Sequence, residues 1–163
     1  MSNLTKQEGE NVGGYNNLEI IDIANIVSFP NHTNFVISGV ITLSEAWTTV
    51  KSTLGTIEPK DGDKDGDKGE FNEQSIQFIH PIESAITLEW LRLWKTKLII
   101  AKIKTSNGKV KIYGSPTHPL RLTYKLISKS GFNSRPCYEV TLLGLNTEPS
   151  LFFTGTTTLA ELL

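Results

Sequence analysis

Apolar residues in this chain occur in short stretches where they alternate with polar residues, and turn-forming residues separate one stretch from the next. The clearest stretches are residues 35–43, 120–126 and 138–142. A period of two places alternate side chains on the same face of a strand, so each stretch has one face suited to a core. The sequence therefore predicts a mainly β (α+β) domain of about eight strands, an antiparallel β-sandwich or partly closed barrel.

One segment, residues 84–95, has a helical period instead. At 100° per residue its apolar side chains form one broad arc, opposite Glu89, Arg92 and Lys95. The arc consists of Ile86, Trp90, Leu91, Leu93 and Trp94. Ser84 is a suitable N-cap, and a lysine in the last turn suits the helix dipole. We interpret the arc as the face that packs on a sheet, and its two tryptophans as core residues rather than ligand-stacking residues.

Composition and charge are those of an ordinary globular domain. The chain has 163 residues, of which 38% are hydrophobic and 20% charged, and its formal net charge is −1. A nearly neutral chain has no global field that would attract nucleic acid or an anionic membrane. We predict a flexible N-terminal arm at residues 1–17 and a single β-rich domain at residues 18–163, with a long loop at about 58–72. The apolar segment 151–163 is expected to pack as a last strand or to dock on a neighbour.

The pair Asn107-Gly108 predicts a β-hairpin with a two-residue turn. This turn would place Lys104 opposite Lys111. Like charges across two strands are destabilising, so we expect that face to be solvated or to meet an acidic partner. The lysines of the hairpin lack the interleaved aromatic residues of a nucleic-acid site, and DNA is expected at most as passing cargo.

The segment from Asp61 to Gln74, DGDKDGDKGEFNEQ, is rich in carboxylates and glycines. Counted from its first residue, carboxylates stand at positions 1, 3, 5 and 7, as in the first half of an EF-hand loop: Asp61, Asp63, Asp65 and Asp67. The second half differs, because Asn72 stands where the loop has its bidentate glutamate, and Lys68 where it has an apolar residue. A looser calcium loop is the alternative. We favour a solvated, mobile loop that bridges to an adjacent subunit.

The residue types that carry out catalysis are few and scattered. The three histidines, His32, His80 and His118, stand near prolines or turns without the spacing of a zinc site. Cys137, the single cysteine, begins an alternating strand and is expected to be a half-buried structural thiol. Signatures of serine hydrolases, phosphate loops and dinucleotide binding are absent. We predict no enzymatic activity and no cofactor; a hydrolase would need His80 or His118 to meet a carboxylate in a pocket.

Several short motifs follow one another in a distinctive order. GEFNEQSIQFIHP (69–81) precedes the helix, Asn107-Gly108-Lys109 and YGSPTHPL (113–120) follow it, and YEVTLLG (138–144) comes last. Over roughly residues 55–145 this order resembles a family of small structural proteins of tailed phages and prophages of Bacteroidetes-type bacteria, including crAss-like phages. The sequence departs from that pattern at LGLNTEPS (143–150).

The resemblance implies a virion component that is assembled in the bacterial host cytoplasm. It would be repeated in a ring at the neck, where head and tail connect, or in the tail, with portal, tail or neck proteins as neighbours. No functional site residues carry over, because the family implies assembly rather than catalysis.

The leading prediction is therefore a non-enzymatic, ring-forming virion protein that contacts copies of itself and has no membrane partner. The candidate interface residues are Asp61, Asp63, Asp65, Lys104, Lys111, Phe152 and Phe153. The alternative is a calcium- or glycan-binding β-sandwich module.

Overall fold

The computed structural model describes residues 15–53, 55–66, 69–81, 83–128 and 135–160. Within these ranges the chain forms thirteen strands and one α-helix, with a single-turn 3-10 helix at Ile23–Asn25. The elements are β1 (Tyr15–Asp22), β2 (Ile26–Ser28), β3 (Val36–Ile37), β4 (Val40–Leu43), β5 (Thr48–Thr49), β6 (Glu58–Gly66), β7 (Gly69–His80), α1 (Ala85–Lys95), β8 (Ile99–Thr105), β9 (Val110–Tyr113), β10 (Arg121–Ile127), β11 (Cys137–Asn146), β12 (Leu151–Phe153) and β13 (Thr156–Leu159).

The described strands form three sheets. The largest has six strands in the order β3-β12-β9-β8-β1-β5, the second has the order β10-β11-β7-β6, and the third has the order β13-β4-β2. The sheets do not close into a barrel, and the predicted mainly β fold with one α-helix is confirmed as a sandwich-like α+β arrangement.

Strand β8 lies in the middle of the six-stranded sheet and is buried on both faces. Its sequence IIAKIKT is almost continuously apolar at the start, as expected of a strand covered on both sides. Ile99 and Ala101 belong to one core, whereas Ile100 belongs to the other. The polar exception, Lys102, is neutralised by Glu19 on β1, with 2.7 Å between Nζ and Oε2. The six-stranded sheet is thus the central layer of the molecule.

The larger core lies between this sheet and the four-stranded sheet with helix α1. Alternating residues of both layers meet there, as the period of two predicts: Leu18, Ile20, Ile76, Phe78, Leu91, Trp94, Leu122, Val140 and Leu142. The smaller core lies on the opposite face of the central sheet, against the three-stranded sheet, and contains Ile21, Ile37, Ile41, Leu43, Ile100, Ile112 and Leu151.

Helix α1 begins where the sequence predicts, and the Ser84 Oγ accepts a hydrogen bond from the Thr87 backbone N at 3.2 Å. The predicted buried arc is partly wrong. The helix buries Thr87, Leu91 and Trp94, but Ile86 is 79% exposed and Leu93 is 55% exposed. The helix packs on β10, which is an edge strand, so only a narrow strip of its surface reaches the core.

The predicted long loop at 58–72 is wrong, because β6 and β7 extend through this segment as an antiparallel hairpin. Only residues 67 and 68 of that range lie outside the described residues. Aspartate, glycine and lysine have low strand propensity, and pairing with the strongly alternating β7 overrides it here. A protruding strand pair therefore takes the place of the expected loop.

The predicted register of the β8–β9 hairpin is also wrong. A three-residue loop follows Thr105, whose backbone N donates to the Lys109 carbonyl at 2.8 Å. Gly108 has a φ of 84°, the left-handed conformation that ends such a loop. The extra residue shifts the register by one position, so Lys104 pairs with Val110 and does not face Lys111.

Both ends of the described chain are strands. The expectation that the C-terminal segment packs down is confirmed, since β12 and β13 pair with β3 and β4. These two pairings are parallel, unlike the antiparallel arrangement expected throughout. At the other end β1 begins at Tyr15, within the predicted N-terminal arm, and residues 1–14 lie outside the described part.

A buried glutamine joins three segments near the base of the β6–β7 hairpin. The Gln74 side chain on β7 is 1% exposed. Its Oε1 accepts a hydrogen bond from the Gly114 backbone N at 2.7 Å, and its Nε2 donates to the Glu148 backbone O at 3.0 Å. Gly114 has a φ of 82°, and a Cβ there would stand 3.3 Å from the Ile99 carbonyl oxygen, so glycine is required. The amide thus fixes the turn after β9 and the loop before β12 against the hairpin.

Candidate functional site

The β6–β7 hairpin projects beyond the four-stranded sheet. Strand β7 pairs with β11 only from Asn72 to His80. Nearer the tip, Gly69–Phe71 have only β6 as a partner among the described strands, and β6 itself is the edge of the sheet. Every described residue of β6 from Lys60 to Gly66 is exposed. The hairpin therefore presents a strand edge and both faces of its tip to solvent.

The three described aspartates of the hairpin lie on one face of β6, since alternate residues of a strand share a face. The Asp61 Oδ2 accepts a hydrogen bond from the Ser150 backbone N at 2.6 Å, and the Asp63 Oδ1 accepts one from the Asn72 Nδ2 at 3.0 Å. Neighbouring carboxylates are about 7 Å apart along an extended strand. Asp61, Asp63 and Asp65 therefore do not form the first half of an EF-hand loop. Asp67 lies outside the described residues.

The metal alternative gains no support from the rest of the described chain, where no three His, Cys, Asp or Glu side chains are close enough to hold an ion. The opposite face of β6 carries lysines, and the Lys64 Nζ lies 2.6 Å from the Glu73 Oε2. The hairpin thus has one acidic face and one face with compensating charges, which suits a protein contact better than a cation site.

Of the other candidate interface residues, the structure brings Lys111 and Phe152 together, whereas Lys104 and Phe153 are not part of that contact. Phe152 is 40% exposed, and the Lys111 Nζ lies 5.0 Å from its ring centroid, so the structure brings these two together. Phe153 is half-buried and packs against the smaller core. Lys104 is exposed, but the observed register places it on the opposite face of the sheet from Lys111.

A cleft of about 440 Å³ lies where three loops meet, and sequence reasoning did not find it. Its walls come from the segment after β2, the turn after β9 and the loop before β12. The principal polar residues in these walls are His32, Ser115, Thr117, His118, Asn146 and Glu148. Phe29, Pro30 and Leu151 contribute apolar surface. Loops held on a rigid scaffold commonly carry binding sites.

A histidine–carboxylate pair stands in this cleft, but its histidine is His32 rather than His80 or His118, the two that a hydrolase is expected to need. The His32 Nε2 lies 2.5 Å from the Glu148 Oε2. His118 lines the same cleft, and its Nδ1 is 3.1 Å from the Thr117 Oγ1. His80 is buried on β7 opposite Tyr138. The 116 residues that separate the paired side chains leave no local signal, so sequence patterns could not have identified this pair.

A strained turn stands beside the cleft. Thr33 and Val36 exchange two backbone hydrogen bonds of 3.0 Å around Asn34 and Phe35, whose φ values are 50° and 63°. This is the geometry of a type I′ turn, whose second position favours glycine. Phe35 occupies it instead, at a cost of about 1–2 kcal/mol. Its ring is 52% exposed and stacks on His32, with 6.3 Å between ring centroids and 10° between planes.

An apolar groove lies beside helix α1. Ile86 and Trp90 line it together with Lys51 and His80. Ile86, Trp90 and the exposed Leu93 follow one another at helical spacing, so they form a single stripe along the helix. Ile86 and Leu93 are open to solvent, whereas Trp90 between them is half-buried against the larger core.

Cys137 is half-buried at the start of β11, as predicted.

None of the described helices is long and apolar enough to cross a membrane.

No protein-family model matches the chain, and neither a curated protein nor a solved structure matches it significantly. The resemblance to phage structural proteins therefore stays a prediction from sequence motifs.

Replacing Phe35 by glycine tests whether the aromatic side chain is present for folding. Because Phe35→Gly removes the left-handed strain and little buried surface, we expect the free energy of unfolding to stay unchanged or to rise by about 1 kcal/mol. Urea unfolding followed by tryptophan fluorescence measures it. A loss of more than about 1 kcal/mol would show that the stacking on His32 stabilises the fold more than the strain destabilises it.

Tyr113 gives the fold an alkaline limit. Burial, reinforced by the Asp61 carboxylate, raises the pKa of Tyr113 from 10.0 to about 12. The folded state thus keeps the proton after the unfolded state has lost it, so this stabilisation is complete below pH 10 and is lost as the pH rises toward 12. The full loss is about 2–3 kcal/mol, and about half of it is expected by pH 11.

The variant Tyr113→Phe is expected to lack this alkaline loss, whereas Tyr124→Phe, at a half-buried tyrosine, should retain it. Urea unfolding of the three proteins at about pH 8 and about pH 11 makes the comparison. If the wild-type protein and Tyr113→Phe lose the same free energy of unfolding between the two pH values, Tyr113 is not the cause of the alkaline loss.

Proposed function

We propose that the chain is a non-enzymatic structural subunit that associates with copies of itself, and that the tip of the β6–β7 hairpin makes the contact. The observation that carries this proposal is the projection of the hairpin beyond Asp63 and Asn72, where its strands have only each other as partners. An exposed strand edge offers unpaired backbone groups to another chain. Its charges exclude indiscriminate strand pairing and favour a partner with complementary charge.

The base of the hairpin makes this arm rigid. Asp61 is held by the Ser150 backbone, and Gln74 is fixed between Gly114 and Glu148. A preorganised arm loses less conformational entropy on binding than a flexible loop does. This rigidity supports a subunit contact of fixed geometry, as a closed ring requires, because the same rotation must relate each subunit to the next.

A second surface supports association. The α1 stripe contains the exposed Ile86 and Leu93 on either side of the half-buried Trp90. Contiguous apolar surface of this kind is typical of protein contacts. The hairpin tip and the helix stripe are different surfaces, and a head-to-tail ring uses two different surfaces at each contact.

The finer proposal is a subunit of the neck or tail of a tailed phage, surrounded by portal, tail or neck proteins. It depends on the motif order in residues 55–145. In the structure these motifs converge: Gln74 of the GEFNEQS motif binds Gly114 of the YGSPTHPL motif. The departure from the family pattern, LGLNTEPS, supplies the Glu148 carbonyl that completes the same link.

The test is to remove the tip and keep the base. Residues 64–71 are replaced by Asn-Gly, a two-residue turn that can join the paired Asp63 and Asn72. The wild-type protein is expected to run as an oligomer of the 18.1 kDa chain and the tip-less variant as a monomer with unchanged circular dichroism. Native mass spectrometry and light scattering measure the mass at several concentrations.

Two further variants make the result specific. Asp65→Lys keeps the hairpin backbone but reverses one charge at the tip, and it should weaken association in a salt-dependent way. Lys109→Ser changes an exposed residue of the other hairpin and should leave the mass unchanged. A wild-type protein that is monomeric at all concentrations, or a tip-less variant of wild-type mass, contradicts the proposal.

A further inference from the structure

The turn at Asn34 and Phe35 holds an aromatic side chain where glycine would fit better. The Phe35 ring is half exposed, so its position is not explained by core packing. Strained residues of this kind persist where the surrounding structure holds them in place, and they are concentrated at binding sites. The backbone around Phe35 is held on both sides, by the Thr33–Val36 pair and by a 2.9 Å hydrogen bond from the Phe152 N to its carbonyl.

The Phe35 ring is not part of the cleft lining, but it lies next to the cleft because it stacks on His32, which does line it. His32 stacks on Phe35 on one side and contacts the Glu148 carboxylate through its Nε2. The Nδ1 of His32 is buried without a hydrogen-bond partner, so the imidazole has no second polar contact to draw it away from Glu148. This contact holds one oxygen of the carboxylate, Oε2, while the Glu148 side chain stays partly exposed at the cleft.

The opposite wall is also rigid. Ser115 and His118 exchange two backbone hydrogen bonds of 3.1 Å. Their side chains form a chain of contacts in which the Thr117 Oγ1 lies 3.1 Å from both the Ser115 Oγ and the His118 Nδ1. Hydroxyl groups both donate and accept hydrogen bonds. This wall can therefore pair with ligand groups of either kind.

The charges in the cleft restrict the ligand. No lysine or arginine is among the residues that line it, Glu148 is its one carboxylate, and His32 already contacts that carboxylate. A phosphate or carboxylate ligand would meet a like charge, with no lysine or arginine to bind it. A neutral ligand that carries many hydroxyl groups fits the mixture of donors, acceptors and aromatic surface. The volume of about 440 Å³ lies within the usual range for small-molecule sites.

We infer that this cleft binds a neutral saccharide, with a sugar ring against Phe35 and its hydroxyl groups on Glu148 and the Ser115–His118 turn. The C–H face of a sugar packs on the electron-rich face of an aromatic ring. The site is separate from the hairpin tip, and this binding does not require self-association.

The test uses saturation-transfer NMR on the full chain with three neutral disaccharides: maltose, lactose and N,N′-diacetylchitobiose. At least one should receive saturation transfer from the wild-type protein. Phe35→Gly, which is expected to fold stably, and Glu148→Ala should each weaken its binding about tenfold. Lys109→Ser, at an exposed residue of the β8–β9 hairpin, is the matched control and should bind as the wild-type protein does.

Glucose 6-phosphate gives the charge test, since the lysine-free cleft should bind it more weakly than the disaccharide. No saturation transfer to any of the three disaccharides overturns the inference, and so does unchanged binding in Phe35→Gly and Glu148→Ala. Because the tip-less variant keeps the cleft, it should bind the sugar as the wild-type protein does, and a failure of self-association therefore remains distinguishable from a failure of sugar binding.

Discussion

The Gln74 amide holds three distant segments of the chain at one point, and both candidate surfaces depend on it. Buried amides are costly without hydrogen bonds, and this one uses its oxygen for Gly114 and its nitrogen for the Glu148 carbonyl. The first bond orients the Ser115–His118 turn, and the second orients the loop that carries the Glu148 side chain. The same residue lies at the base of the β6–β7 hairpin, next to the Asp61 contact with Ser150. The hairpin and the cleft therefore share one rigid support.

The β6–β7 hairpin has a base that belongs to the fold and a tip that projects from it. Up to the Asp63–Asn72 pair the hairpin belongs to the sheet, and the Asp61, Asp63 and Gln74 side chains are hydrogen-bonded within the molecule. Beyond this pair the strands have only each other, and all described residues of the tip are exposed except the half-buried Phe71. Three described carboxylates suggest a cation site in the sequence. Two of them, Asp61 and Asp63, make hydrogen bonds at the base of the hairpin, and Asp65 lies at the tip. Self-association through the tip is consistent with this division.

Strand faces and the helix start could be predicted from the sequence, because alternation and capping are local properties. Ile76 and Phe78 are buried as expected, and Ser84 caps the helix. Strand β6 could not be predicted from the sequence, since its aspartates, glycines and lysines favour loops. They form a strand only because they pair with β7. The exposure of Ile86 depends on which strand the helix packs against, which periodicity does not reveal. His32 and Glu148 are 116 positions apart in the sequence, so their contact depends on the tertiary fold and has no local sequence signal.

Amide hydrogen exchange, followed residue by residue at two protein concentrations, tests the division of the hairpin most directly. We expect the Gly114 backbone N–H, which donates to the Gln74 Oε1 at 2.7 Å, to exchange only through global unfolding at both concentrations. We expect the backbone amides of the β6 tip that point away from β7 to exchange rapidly in dilute protein and to become protected in concentrated protein, when the tip contacts a second copy. Rapid exchange at Gly114, or tip exchange that does not depend on concentration, would contradict this division of the hairpin.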